Sequence, residues 1–246
     1  MSLQSKFLEF HDRIKIDFEG SEPLREKRDL LLHDLQAGLK NIFSGKPPSF
    51  TYLNQGSYAL ATGVEPLADG DYDIDVGIIF DFTRSEYQPV QVKGWICQAL
   101  QRSTRTVEMK RPCVRVQYFL NQTEFFHVDL AIYATEYASY TQKKELFIAK
   151  GYPGSLESKK IWEESDPFLL KKLIKSKFSE GDRSQFRRII RYLKRWKDYS
   201  FNSTANGKPT GIAMTAICYE VFHRGTIFDP QTLKPTMTTC PHCNAL

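Results

Sequence analysis

No stretch of this 246-residue chain stays apolar for long. Its apolar runs, of which Val76 to Phe82 is typical, are broken every few residues by Asp, Glu, Lys or Arg. None approaches the roughly 20 residues that a bilayer-spanning helix needs, so no membrane association is expected. The opening residues MSLQSKFLEFHDRIKIDFEG have neither an uninterrupted apolar core nor a small-residue cleavage site. They read as structure, not as a secretory signal. Cysteine is scarce and odd in number, at 97, 113, 218, 240 and 243. The first three lie in apolar segments, where a free thiol acts as a small hydrophobe, and a reducing cytoplasm is the expected compartment. Cys240-Pro-His-Cys243 is half a zinc ribbon with no second pair of ligands, so no zinc site is expected. Internal repeats and low-complexity tracts are missing too, which excludes solenoid, collagenous and disordered classes.

What is present is the composition of a globular protein, 41% hydrophobic and 26% charged, long enough for one large core or two modest ones. The 34 basic and 29 acidic residues leave a net charge of only +5, but they are segregated. From Glu65 to Glu86 seven acids face Arg84 alone, whereas from Lys171 to Lys197 eleven Lys or Arg accompany only Glu180 and Asp182. One region wants cations and the other anions.

Apolar spacing predicts helices over 2–19 and 24–43, the second carrying Leu24, Leu31, Leu35, Leu39 and Ile42 on one face. Residues 71–82, DYDIDVGIIFDF, read as a strand with Tyr72, Ile74, Val76, Ile78, Phe80 and Phe82 on one side and Asp73, Asp75 and Asp81 on the other. A helix is expected over 89–101, then a hairpin of Cys113–Leu120 and Thr123–Tyr133 turning at Asn121 and Gln122. After Tyr137 helical patterns dominate, at about 156–164, 167–178, 184–199 and 209–222. Residues 225–246 hold three prolines and no periodicity. The expected organisation is therefore N-terminal helices and a β-containing domain over 1–140, a helical lobe over 141–224, and an irregular tail over 225–246.

In a strand, Asp73 and Asp75 leave the same face a few ångströms apart. Two adjacent carboxylates repel unless a hard divalent cation with a taste for oxygen lies between them, so the pair predicts a metal. Asp129 interrupts the apolar run FFHVDLAIY and shares its strand face with His127 and Phe125. It can reach the pair if the hairpin neighbours the Asp73 strand, giving three carboxylates suited to two-metal phosphoryl transfer. An isolated D-x-D is more often a solvated strand face. Here Gln55, Gly56 and Ser57 precede it, where glycine permits close backbone approach and serine offers donors to a phosphate.

The ordered set of Gly56-Ser57, Asp73-Ile74-Asp75 and a distal Asp129 resembles the DNA polymerase β-type nucleotidyltransferases. Within that superfamily, NQGSYALATGVEPLADGDYDIDVGIIF resembles the cGAS/DncV-like members. The segments GSLESKKIWEESDP (154–167) and RIIRYLKRWKDYSFNSTANGKPTGIAM (188–214) agree, so the resemblance covers most of residues 50–222. It implies an α+β fold: a palm built on a mixed or antiparallel sheet with flanking helices, followed by a C-terminal helical lobe. The family's final helices are not recognisable after Phe222. The chain is expected to be incomplete as a member, leaving Ile217, Val221 and Phe222 at an uncovered surface.

In residues 184–199, Phe186, Ile189, Ile190, Leu193 and Trp196 form one apolar face, flanked by Arg187, Arg191 and Lys194. The resemblance matches Lys194 to a helix lysine that holds the incoming triphosphate. Thr210 matches a serine opening the next helix, a position whose hydroxyl and free N–H groups suit phosphate. Lys171, Lys172, Lys175 and Lys177 read as solvated surface. Trp95, Trp162 and Trp196 read as core, Tyr199 as surface, and His11, His33, His127 and His223 as histidines without a partner at metal-ligand spacing.

The resulting expectation is an enzyme that takes NTPs, ATP among them, and makes a cyclic di- or trinucleotide or related oligonucleotide messenger, in bacterial anti-phage signalling by resemblance. Asp73, Asp75 and Asp129 would be both catalytic and metal-binding, with Mg²⁺ in two sites or Mn²⁺ in its place. Gln55, Gly56, Ser57, Lys194 and Thr210 would bind the nucleotide. The expectation leaves room for a regulatory or effector protein partner. Two alternatives stay open: transfer of a nucleotide to an RNA end or a protein, and a silent RNA-binding module using the basic helix.

Overall fold

The computed structural model describes residues 3–16, 22–67, 72–120, 123–137, 143–201 and 206–223, and the backbone course of 225–229 and 234–238. Packing divides the chain into two units: Glu19–Ala59 with Ala68–Phe168, and Met1–Phe18 with Leu60–Leu67 and Leu169–Leu246.

The first unit is a mixed seven-stranded sheet with two long helices. Its strands are β1 (Phe50–Asn54), β2 (Tyr72–Phe80), β3 (Arg105–Met109), β4 (Val114–Leu120), β5 (Thr123–Tyr137), β6 (Lys144–Lys150) and β7 (Ile161–Glu164). They run in the order β1-β2-β5-β4-β3, and the far end of β5 pairs with β6, which pairs with β7. Only the β2–β5 contact is parallel. Alternation explains the face each strand buries: Ile74, Val76, Ile78 and Phe80 on β2, and Val128, Leu130 and Ile132 on β5, are all but fully enclosed. At about 1.5–3 kcal/mol for each such side chain, this face is what keeps the two strands in register.

The helices of this unit are α2 (Glu22–Ile42) and α4 (Pro89–Leu100). Leu24, Leu31, Leu35 and Leu39 form the buried stripe of α2. A Cβ at Gly38 would stand 2.4 Å from the Ala99 carbonyl oxygen, so glycine is what lets the two helices approach. On α4, Lys93 is wholly buried, and its ammonium donates to the carbonyls of Lys110, Arg111 (3.1 Å) and Gly151 (2.6 Å). Burial pulls its pKa down to about 8. The side chain ties α4 to the β3–β4 connection and to the end of β6.

In the second unit the helices are α1 (Leu3–Ile14), α5 (Leu169–Lys177), α6 (Glu180–Ser200) and α7 (Gly211–Val221). Ile174, Phe178, Phe186, Ile190, Cys218 and Phe222 form its core, with Leu60, Ile189 and Leu193 packed against it. The helix starts are written in sequence. Ser179 caps α6 through the Asp182 N–H (3.3 Å) and Thr210 caps α7 through the Ala213 N–H (3.2 Å). Tyr192 of α6 packs on Phe7 and Phe10 of α1 and donates its hydroxyl to the Phe7 carbonyl, 2.7 Å away.

Several expectations need correction. Residues 156–164 are a one-turn 3₁₀ segment (Glu157–Lys159) followed by β7, not a helix. Strand pairing with β6 overrides local propensity there, and the β-region continues to Glu164, well past residue 140. The first helix belongs to the helical unit. Within the expected irregular tail, Gly225–Asp229 and Lys234–Thr238 pair as an antiparallel hairpin, β8 and β9. Trp196 is about half exposed, so it is not core. Ile217 and Val221 are exposed as expected, but Phe222 is buried against Phe178 and Phe186. The Asn121-Gln122 turn and Cys240 and Cys243 lie outside the described residues. Among the described residues no helix is long and apolar enough to cross a membrane.

Candidate active site

Two rows of side chains cross three strands on the solvent-facing side of the sheet. In one row Asp75 of β2 is in register with Asp129 of β5, and Asp129 with Arg115 of β4. In the other, Asp73 is in register with His127, and His127 with Gln117. The alternation that buries Ile74 and Val128 therefore turns all three acids outward together. Asp73 is the most open of the three, its side chain more than half exposed.

The carboxylates are not bare. Arg115 grips Asp129 with two parallel bonds, Nε to Oδ1 at 2.8 Å and Nη2 to Oδ2 at 2.6 Å, which raises the pKa of the guanidinium. His127 Nε2 lies 3.0 Å from Asp73 Oδ1, and the ring is buried. One donor atom each from Asp73, His127 and Asp129 fall within 4.8 Å of one another. That is a set of two oxygens and one nitrogen from which a divalent cation can draw ligands. Behind the cluster, burial and the Asp129 charge push the Cys113 thiol up to about 12, so it is inert.

Asp75 has a different neighbour. The Gln55 N–H donates to the Asp75 carbonyl at 2.9 Å, continuing the line of β1, and the Gln55 side-chain amide donates to the Tyr133 hydroxyl at 2.7 Å. The chain then turns at Gly56 with φ +56° into the short helix α3 (Gly56–Leu60), which carries Ser57. A Cβ at Gly56 would fall 1.8 Å from Asp75 Oδ2, so the backbone lies directly against the carboxylate and only glycine fits.

Lys194 and Thr210 belong to the helical unit. Lys194 Nζ donates to the Thr62 carbonyl at 2.9 Å, and its side chain runs beside Gly211, the first residue of α7, next to the capping Thr210. The structure thus brings these two together, as it does Gln55, Gly56, Asp73, Asp75 and Asp129 in the sheet. An open groove of about 540 Å³ beside α2 and β1, lined by His33, Lys40, Phe50 and Tyr52 among others, includes none of these residues.

Two features were missed in the sequence. His127 does have partners for a metal. The signal was available, because an H-x-D on one strand matches a D-x-D on its neighbour once the two are paired. Arg115 gave no signal, since its role arises only from cross-strand register. On α6, Arg191 of the cationic edge is buried, as is Arg195, and both donate to the segment 61–65: Arg191 bonds the Gly63 carbonyl (3.0 Å) and the Ala61 carbonyl (2.6 Å), and Arg195 the Glu65 carbonyl.

Paired acid-bearing strands with a glycine turn packed against one of the acids define the class, a nucleotidyltransferase palm. Residues 50–133 match the family described as "Cyclic GMP-AMP synthase DncV-like, nucleotidyltransferase domain". The chain is 25% identical over 201 residues to a "Cyclic GMP-AMP synthase" of Escherichia albertii, a match taking in 78% of this chain but only 41% of that protein. In fold it resembles Vibrio cholerae DncV cyclic AMP-GMP synthase in complex with the linear intermediate 5′ pppA(3′,5′)pG, with a TM-score of 0.62 at 16% identity, covering 87% of this chain and 70% of the other. The V. cholerae di-nucleotide cyclase in complex with GTP and 5MTHFGLU2 gives 0.65 at 15% identity, over 87% and 72%.

Proposed function

We propose that this protein joins NTPs into a cyclic di- or trinucleotide messenger, acting in the cytoplasm in anti-phage signalling. The observation that carries the reading is the register of β2 on β5, with Asp75 opposite Asp129 and Asp73 one pair along. Three converging carboxylates on a rigid sheet suit Mg²⁺, or Mn²⁺ in its place, with Asp73, Asp75 and Asp129 as the residues that would hold it. When bound, such ions supply positive charge that activates a ribose hydroxyl and neutralises the pyrophosphate leaving group.

The chain's own residues do the rest. Arg115 fixes Asp129 in orientation through two parallel bonds, so the carboxylate is positioned without rearrangement. Gln55, anchored to Tyr133 and to the Asp75 backbone, fixes the Gly56 turn against the Asp75 carboxylate. Gly56 and Ser57 offer N–H and hydroxyl donors to phosphate oxygens, and a side chain at 56 would displace the acid. Lys194 and Thr210 are assigned the β- and γ-phosphates, supported by their resemblance to family positions and their proximity at the start of α7. The reactive groups therefore sit on strands and the phosphate grip on turns and helix ends. The buried free thiols Cys113 and Cys218 are what a reducing compartment preserves.

Incubation with labelled NTPs and Mg²⁺ or Mn²⁺, followed by phosphatase treatment and mass analysis, tests the reading. A small phosphatase-resistant species containing two or three nucleotides is expected. Label that stays attached to RNA or protein would replace the messenger reading with macromolecular nucleotidylation.

A further inference from the structure

We propose that His127 is a nitrogen ligand of the metal site, and that the site consequently selects a first-row transition cation such as Mn²⁺ over Mg²⁺. This deepens the reading above and rests on it. The donor atoms of Asp73, His127 and Asp129 gather within 4.8 Å, and His127 Nε2 is only 3.0 Å from Asp73 Oδ1. A cation bound by Asp73 on the side facing β5 therefore meets an imidazole nitrogen next.

The ring is committed to that place. His127 is buried on β5, a strand paired on both sides at that point, in register with Asp73 of β2 and Gln117 of β4. The ladder fixes the face from which the ring leaves, and its burial restricts the rotamers open to it. Asp129, for its part, already shares both oxygens with Arg115, which makes it a less generous donor to a hard ion.

Ligand chemistry turns this geometry into selectivity. Mg²⁺ demands octahedral oxygen ligation and gives up water reluctantly. Imidazole suits first-row transition metals, whose affinity for mixed nitrogen and oxygen sites rises from Mn²⁺ onward. Placing one nitrogen among the oxygens penalises Mg²⁺ more than Mn²⁺, although Mn²⁺ gains the least of the first-row series from an imidazole.

The test uses the whole chain without nucleotide. Mn²⁺ binding is followed by electron paramagnetic resonance, Mg²⁺ by competition, and pulsed measurements on protein carrying ¹⁵N-histidine look for nitrogen hyperfine coupling. The expected results are nitrogen coupling in the unmutated protein, and a roughly 10-fold loss of Mn²⁺ affinity in His127→Gln with Mg²⁺ affinity changed by less than about 2-fold. Absent nitrogen coupling overturns the proposal, and this measurement stands even if the variant folds poorly. An equal loss for both ions overturns the selectivity. If both ions bind and depend on Asp73, yet show no coupling and no change of preference, only the role of His127 fails. If neither ion binds, or if Asp73→Asn leaves binding intact, the reading of the site fails together with it.

Discussion

The two units answer the same problem, charge held near a packed core, in opposite ways. In the sheet, side chain meets side chain: Arg115 pairs with Asp129, and the His127 ring stands against Asp73. In the helical unit cations meet neutral carbonyls: Arg191, Lys194 and Arg195 of α6 donate to the backbone of residues 61–65. An ion pair cancels, so the acid cluster can accept an added cation only by sharing partners it already has. A carbonyl satisfies an ammonium or guanidinium geometrically but leaves its charge standing, so α6 stays electropositive while being structurally rigid. The proposed metal site and the proposed triphosphate grip differ in the same way.

The largest break in the comparison comes from the acids. Asp73→Ala, Asp75→Ala and Asp129→Ala should each lower turnover by on the order of 10³-fold or more in a product-formation assay, since metal chemistry is worth several kcal/mol. Asp73→Ala should leave thermal stability unchanged or slightly raised in metal-free buffer, because it thins a crowded anionic cluster. Asp129→Ala should lower stability, because it strands Arg115. Normal turnover in any of the three would remove that residue from the site.

Next come the buried cations, which should matter for folding alone. Lys93→Met in the sheet unit and Arg191→Met in the helical unit each leave behind the carbonyls their side chains satisfy, and should cost about 2–4 kcal/mol in denaturant unfolding. A change below about 0.5 kcal/mol would show that water replaces them without loss.

Lys194 sharpens the difference between structural and ligand-binding cations on the same helix. Lys194→Ala should weaken NTP binding by about 1.5–3 kcal/mol, and Thr210→Val by about 0.5–1.5, with little loss for a nucleoside monophosphate. Lys171→Ala and Lys175→Ala, on α5, should do almost nothing. Equal losses at all three lysines in a calorimetric titration would mean a diffuse cationic field and point to RNA as ligand.

The smallest effect is one of pH. Burial first, and then the Arg191 charge, hold the His11 imidazole below its ordinary pKa of about 6.5, and its Nε2 lies 2.9 Å from the Arg191 guanidinium. Between that lowered value and 6.5 the unfolded chain binds more protons than the folded one, so stability falls as pH drops through this window and is fully present above it. Melting curves from pH 7.5 to 5 should show the decline. In His11→Leu it should be shallower.

Much of this was legible beforehand. The alternation DYDIDVGIIFDF announces a strand with its acids on one face, and the stripe of Leu24, Leu31, Leu35 and Leu39 announces the face that α2 buries. Strands β1, β3 and β6 are five to seven residues long, and β7, whose local pattern predicts helix, is shorter still. Runs of that length carry too few periods to tell a strand from a helix, and their identity comes from the neighbour they pair with.

The amino-acid sequence by itself determined the local devices: the period-two and period-3.6 faces and the caps at Ser179 and Thr210. These depend on residues a few positions apart, whose geometry is dictated by backbone sterics. Only the tertiary structure decided that β5 lies parallel to β2 with Asp129 opposite Asp75, that His127 joins the acids, and that Arg115 closes on one of them. Register across strands some 50 residues apart is set by which buried faces fit together. A shift of one residue would have sent every one of these side chains to the other side of the sheet.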